Sequence, residues 1–357
     1  MEKTQKSPLY DLAIIGNGIA AQSFLWNLSN TNLAKNESVS ISQNFSIAHI
    51  YSEKRAPACS LRSSATVSLN GIEEDVSPLG NDMREAFFMF DELFKKHHPK
   101  GVEEVTRTVV STNENDTKKI TRRYKKLNEI KSDKIKKVYP GVEYSSYIIT
   151  PEVFLTWLKE NSSIPVTDVP MFVRNMEVVD GLHVMTLEDG SLIHAKKVLL
   201  AMGAYSKIFE KMLLPTGAES LESKNTIKAG SYLERTIDLG NSSFYLSIDG
   251  HQVLYRKNSF ESKLIIGSAT TIGAYEAPDL KVLSDIFLKM KETTVINVGE
   301  MKDYKIITGL RHKGPKRLLI SEAIDENKSL YRINGLYKNG YTLGFLASSR
   351  MAKLIFS

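Results

Sequence analysis

The chain has 357 residues, 42% of them hydrophobic and 25% charged, and carries a net charge of +6 at neutral pH. Such a length and composition exclude a disordered or fibrous protein and allow a large core, most simply in two domains. The single cysteine, Cys59, excludes an internal disulfide, and the seven histidines show no zinc-ligand spacing, so no metal is expected.

The opening MEKTQKSPLYD lacks the apolar core of a signal peptide, and no apolar run approaches the roughly 20 residues of a membrane span. A cytoplasmic location is therefore expected. The first predicted elements lie in "DLAIIGNGIAA", Asp11 to Ala21. Four apolar residues, Leu12 to Ile15, form a strand, Gly16-Asn17-Gly18 a tight turn, and Ile19, Ala20 and Ala21 open a helix. Gly16 permits the turn, Gly18 leaves room for a pyrophosphate, and Ala21 stands where a third small residue lets helix and strand pack closely. The helix N-terminus offers free N–H groups and a positive dipole to phosphates. Glycine turns also join strands to helices with nothing bound, so this stretch alone leaves a dinucleotide and a structural turn both open.

The next strand reads "SIAHIYSEKR" and ends at Glu53 and Lys54, where an acidic residue would bond the ribose hydroxyls of an adenine dinucleotide. Glu53 follows Gly18 by 35 residues, against the usual spacing of about 20. The polar stretch from Ser29 to Ser46 accounts for the excess as an inserted loop. Glu53 is therefore read as the ribose ligand, the alternative being an exposed strand-end carboxylate. Farther along, Thr117 to Lys137 holds ten Lys/Arg against Glu129 and Asp133, and its +8 leaves the remainder of the chain at −2. This is either the footprint of a polyanion partner or a solvated helix face or loop. Asp180-Gly181 and Asp189-Gly190 mark two hairpins between alternating apolar runs, and a buried strand, Val198 to Met202, ends at Gly203. "HQVLYRKNSFESKLIIGSAT" reads as another strand pair, and the chain closes on an apolar helix after Gly335, Gly340 and Gly344. Strand and helix alternate near the two ends, with β-rich material between them. The expected fold is therefore α/β (α+β overall), a doubly wound domain with an antiparallel β-sheet domain inserted into it.

Taken in order, "DLAIIGNGIAA" with Glu53, "CSLRSSATVSLNGIEEDVSPLGNDMREAFFMFDELF", "VDGLHVMTLEDGSLIHAKKVLLAMGAYSKIF", "LIIGSAT", "ITGLRHKGPKRLLI" and "NGLYKNGYTLGFLASSRMAKLI" resemble the D-amino-acid oxidase-like family of FAD-dependent oxidoreductases, most closely its bacterial glycine oxidase branch. The resemblance covers nearly the whole chain and implies non-covalent FAD in a Rossmann-type domain formed by residues 1–85, 150–220 and 305–357. Residues 86–149 and 221–304 would form the substrate domain. Carried over residue by residue, Gly16, Gly18, Ala20 and Ala21 sit against the pyrophosphate, and Glu53 with Lys54 on the adenosine ribose. Arg62, Ser63, Ser64 and Ala65 form the small-residue loop beside the pyrophosphate and flavin ring. Val173 touches the adenine through its backbone, Gly203 closes over the dinucleotide, and Asn339, Gly340, Tyr341 and Thr342 approach the pyrimidine edge.

On the substrate side, Arg311 matches the family's carboxylate-binding arginine, whose planar fork suits a bidentate contact. Lys338 either places positive charge near an anionic flavin or faces solvent. Two departures stand out: Gln252 replaces an active-site tyrosine, and Arg311-His312-Lys313-Gly314-Pro315 replaces the usual run after "GLR". His312 either bonds substrate or has a structural partner, Cys59 reads as a small buried residue, and Tyr205 as a packing residue. The implied activity is oxidation of the C–N bond of a small amine or amino acid by hydride transfer to flavin N5, with O2 as acceptor. The alternatives are a tRNA-modifying oxidase acting on a carboxymethylaminomethyl nucleoside and contacting tRNA through Lys118 to Lys137, and a flavoprotein maturation factor without turnover.

Overall fold

The computed structural model describes residues 7–30, 45–69, 78–124, 126–214, 226–259, 261–273 and 277–356. Of the stretch Ser29–Ser46 expected as an inserted loop, Ser29 and Asn30 instead complete the last turn of α1, and residues 31–44 lie outside the described residues, as do Lys125 of the basic segment and the side chain of Arg123. The chain begins with β1 (Leu9–Ile15), α1 (Ile19–Asn30), β2 (Ile47–Ile50), β3 (Thr66–Val67), α2 (Pro78–His97) and β4 (Val102–Val110). It continues through α3 (Glu114–Tyr124), β5 (Asn128–Ile130), β6 (Tyr139–Ile149), α4 (Pro151–Glu160), β7 (Val166–Val169), β8 (Val173–Val179), β9 (Leu182–Leu187) and β10 (Leu192–Leu200). Short helices α5 (Ala204–Ile208) and α6 (Glu210–Leu213) precede β11 (Thr226–Thr236), β12 (Phe244–Ile248), β13 (His251–Arg256) and β14 (Lys263–Ile272). The last elements are α7 (Leu280–Thr293), β15 (Lys305–Lys313), β16 (Ile320–Ala323), β17 (Leu330–Asn334) and α8 (Gly340–Phe356).

Two compact units result. The first is Met1–Leu61, Leu155–Ile227 and Arg311–Ser357, the second Arg62–Phe154 and Lys228–Leu310. Arg62–Leu69 and the start of α2, expected with the nucleotide domain, group with the second unit.

The first unit is built on one sheet in the order β16-β17-β10-β1-β2-β7. β17, β10, β1, β2 and β7 run parallel. Alternation along β1 sorts its side chains between two cores. Leu12 and Ile14 face α1 and α8 through Phe24, Leu28, Ala347 and Met351, whereas Ala13 and Ile15 face a layer with Val173, Met185 and Leu187 from the β8–β9 hairpin. A strand buried on both faces reads as an unbroken apolar run, which is why Leu12–Ile15 has no polar residue. α1 and α8 pack closely because small residues line their contact. Ser23 donates to the Ile19 and Gly344 carbonyls, and a Cβ on Gly344 would lie 3.0 Å from Ile19 Cγ1.

The second unit has a nine-stranded sheet, β15-β11-β14-β13-β12-β4-β6-β3 with β5 on β6. The pairs β11–β14, β13–β14, β12–β13, β4–β6, β3–β6 and β5–β6 are antiparallel, and β4–β12 is parallel. The chain enters this unit twice, so a strand from each passage can meet side by side. Val253, Tyr255, Leu264 and Ile266 pack under α7 through Leu283, Ile286, Phe287 and Met290. Tyr245, Leu254 and Ile265 point to the other face, with Tyr232 and Ile148.

Candidate functional site

The glycine turn is held from three sides within the first unit. Gly16 has φ +125°, and a Cβ there would lie 2.5 Å from the Ala201 carbonyl oxygen, so only glycine fits. Its N–H donates to the Ile50 carbonyl (2.9 Å), and its carbonyl lies 2.7 Å from His49 Nε2. The other ring nitrogen of His49 is 3.3 Å from Asp168 Oδ1, and Asp168 also pairs with Lys159 (2.6 Å). A neutral imidazole donates once, and the shorter contact assigns that proton to Nε2. Burial pushes the His49 pKa down, against the pull of the Gly16 carbonyl and Asp168.

Gly18 differs from Gly16, since a Cβ on it would meet only Ser60 Oγ, at 3.2 Å. Ser60 was not foreseen from sequence. Its hydroxyl accepts from Ile19 N (2.9 Å) and so satisfies one donor of the α1 N-terminus. Helix geometry leaves the N–H groups of Ala20 and Ala21 without intrahelical acceptors. Tyr341, in the first turn of α8, donates from its hydroxyl to the Ser60 carbonyl (3.0 Å). A Cβ on Gly340, the first residue of α8, would lie 3.5 Å from Ile19 Cγ2. Two helix N-termini therefore meet at Ile19, each bringing a positive dipole end. Tyr341 and Thr342 are buried in the first turn of α8.

Glu53 joins this turn. It is exposed, three residues beyond the end of β2, and accepts from Asn17 Nδ2 (3.3 Å), while Gln22 Nε2 donates to Asn17 Oδ1 (2.7 Å). Lys54 is exposed beside it. Val173 opens β8, buried, and its neighbour Phe172 carries the Arg55 guanidinium 5.7 Å over its ring. Gly203, at φ 54°, precedes α5, and its carbonyl accepts from Asn334 Nδ2 (3.1 Å). The structure thus brings Gly16, Gly18, Ala20, Ala21, Glu53, Gly340 and Tyr341 together. A glycine turn with an exposed acidic residue beside it and two helix N-termini directed at it fits an adenine dinucleotide.

A second cluster in the same unit is cationic. Arg311, near the end of β15, is half-buried, and its Nη1 is inaccessible to solvent with no partner among the described residues. His312 has a structural place: its Nδ1 accepts from Gly335 N (3.2 Å) and its carbonyl from Tyr337 N (3.1 Å). These bonds tie β15 to the loop carrying Lys338 and Asn339. Lys338 is exposed as a residue, its ammonium lies 5.7 Å from the Tyr337 ring centroid, and that group is partly desolvated. That desolvation, with Arg311 and Arg317 nearby, lowers its pKa to about 8.

The second unit holds the remaining candidates. Arg62, Ser63 and Ser64 are partly buried, and Ala65 is buried at φ 45°. The Ser64 carbonyl accepts from Arg256 Nη2 (2.9 Å) and the Ala65 carbonyl from Ile149 N (2.9 Å). Gln252 on β13 accepts through Oε1 from the Tyr245 hydroxyl (3.4 Å). Next to it, Arg107 lies 4.5 Å from the Tyr245 ring centroid and 5.6 Å from that of Tyr144, and donates to Ser68 Oγ (2.9 Å). Sequence reading missed this half-buried arginine, because only strand pairing brings β4, β6 and β12 side by side.

No protein-family model matches the sequence, and no curated protein matches it. Solved structures do. Glycine oxidase from Geobacillus kaustophilus superposes with a TM-score of 0.72 at 15% identity, covering 98% of this chain and 95% of that one. L-alpha-glycerophosphate oxidase from Mycoplasma pneumoniae, solved reduced by dithionite with FAD bound, gives 0.74 at 13% identity over 97% and 94%. Iminodiacetate oxidase from Chelativorans sp. BNC1 gives 0.71 at 15% identity over 96% and 95%. From end to end, this chain shares the fold of those three proteins.

Proposed function

We propose that this chain binds FAD non-covalently and oxidises the C–N bond of a small amine or amino acid, with O2 as the acceptor. The observation that carries the reading is the convergence of the α1 and α8 N-termini on a glycine turn with Glu53 beside it. Gly16, Gly18, Ala20 and Ala21 would hold the pyrophosphate and Glu53 the adenosine ribose. FAD, when bound, supplies the hydride acceptor for the carbon beside the substrate nitrogen.

The protein's own contribution is binding, orientation and charge. Arg311 offers a carboxylate an unpartnered guanidinium nitrogen, and a bidentate contact there would fix the substrate's acid end. Lys338 adds a positive charge that the neighbouring arginines keep easily lost. Gln252 is assigned to the substrate side because it lies on the face of its sheet opposite α7.

The test is the visible spectrum of the purified protein, followed by anaerobic addition of an amine panel. A yellow protein that bleaches with a carboxylated amine, recovers in air and releases its FAD on denaturation is expected. A colourless protein that takes up no FAD overturns the reading. A yellow protein that bleaches with no amine favours a flavoprotein without turnover. Bleaching by tRNA alone favours a nucleoside substrate, which the exposed Lys118, Lys119 and Arg122 of α3 support.

A further inference from the structure

In the first unit, Arg311, Arg317 and Lys338 gather with no carboxylate paired to any of them among the described residues. Two acids of the same unit are engaged elsewhere: Glu322 with Arg332, and Asp325 with the backbone and hydroxyl of Ser329. Arg317 reaches the group through an unusual turn. Lys316 and Arg317 take φ 51° and 64° in succession, a region that residues with a Cβ rarely occupy. A Cβ on Gly314, at the start of that turn, would lie 2.7 Å from the Leu318 carbonyl oxygen, and one on Gly335 would lie 2.3 Å from the same atom. The turn and the Lys338 loop are therefore closely packed on each other, and the arrangement holds like charges near one another. Both arginines act on Lys338 to favour its neutral form. A cluster of this kind, with a buried guanidinium nitrogen unbonded, lacks its counter-charge.

A monocarboxylate supplies one negative charge, and Arg311 alone can answer it. We propose that the acid end of the substrate is a dianion, and that Arg317, with Arg311 and Lys338, selects it over a monoanion. This rests on the reading of Arg311 as the substrate-acid residue. Two sources share that chemistry, a phosphoryl group and a pair of carboxylates.

The experiment measures the affinity of acetate, malonate and methyl phosphate for the FAD-loaded protein, by calorimetry and by the shift of the flavin spectrum. The pH is kept on the acid side of the Lys338 pKa of about 8. Malonate or methyl phosphate should bind about tenfold more tightly than acetate, and whichever is tighter identifies the source. Arg317→Met and Arg317→Gln, at an exposed position, should remove most of that gain and leave acetate unchanged. Acetate binding as tightly as both dianions, or equal losses for all three anions in the variants, overturns the proposal. A preparation that takes up no FAD defeats the oxidase reading instead. Calorimetry on that protein still yields the anion ratios and decides the selectivity separately.

Discussion

The glycine turn and the Arg311–Lys338 cluster belong to one unit but are built on opposite rules. Around the turn, side chains are spent on the protein itself: His49 on the Gly16 carbonyl, Ser60 on Ile19 N, Tyr341 on the Ser60 carbonyl. What stays open there is backbone. Around Arg311 the backbone is spent, through His312 and Gly335, and the charged side chains are left open. A backbone cradle suits a group shared by many enzymes, such as a dinucleotide, because it depends on shape and helix dipoles more than on any one side chain. Open cations suit what differs between enzymes, the acid end of a substrate.

The largest effect should come from breaking the turn. Gly16→Ala forces a Cβ to 2.5 Å from the Ala201 carbonyl oxygen at φ +125°. It should destabilise the fold by about 2–4 kcal/mol and abolish FAD retention. Gly18→Ala brings its Cβ to 3.2 Å from Ser60 Oγ alone, so a small shift of that side chain accommodates it, and it should cost less than about 1 kcal/mol of stability while weakening FAD binding. Urea midpoints and flavin content separate the two. If Gly18→Ala retains FAD as tightly as the parent, the turn is not a phosphate cradle.

The turn was legible because its chemistry is local: an apolar run, two glycines and a small residue within eleven positions, and the Asp180-Gly181 hairpin was legible for the same reason. Asp249-Gly250, between β12 and β13, adopts φ 49° and 84° and carries the same hairpin signal, although the sequence reading gives only the strand pair that follows it and misses β12. What could not be read depends on distance in sequence. Ser60 caps α1 across 41 residues, and Arg107 meets Tyr245 through the parallel β4–β12 pairing. Arg317 was hidden differently. Nothing in "KGPKRLL" announces two successive left-handed residues, so the position of its side chain appeared only with the backbone.

On the cationic side, Arg311→Met removes the unpartnered fork. A charge-assisted hydrogen bond contributes about 1.5–3 kcal/mol, so kcat/KM for a carboxylated amine should fall roughly ten- to a hundredfold. An amine without a carboxylate should be little affected, and FAD should stay bound. Equal losses on both substrates would make Arg311 structural or flavin-directed and remove the contrast drawn above.

A smaller effect should follow pH. Lys338 is depressed to about 8, so it is charged below that pH and neutral above it. Affinity for acetate, which does not itself titrate there, should fall as pH rises through about 8. Bound anion favours the charged ammonium, so the step in the complex should shift to higher pH. Lys338→Met should lower affinity and abolish the step. A step that survives the substitution belongs to another group.

The smallest effect concerns the basic helix of the second unit and asks whether open cations there also await a partner. α3 buries Ile120 and exposes Lys118, Lys119 and Arg122, but Lys119 already pairs with Asp116 at 2.7 Å. Two exposed cations are left for phosphates on the described part of the helix. Each phosphate neutralised by a protein cation contributes about 0.7–0.9 to the slope of log affinity against log salt, so Lys118→Gln with Arg122→Gln should lower that slope for tRNA by about 1.5. Flavin content and turnover of a small amine should not change, because both residues lie in the other unit from the glycine turn. Unaltered binding, or none in the parent, makes α3 a solvated face. Unpaired charge would then mark function at Arg311, where a guanidinium nitrogen is buried, and not on α3, where water already satisfies it.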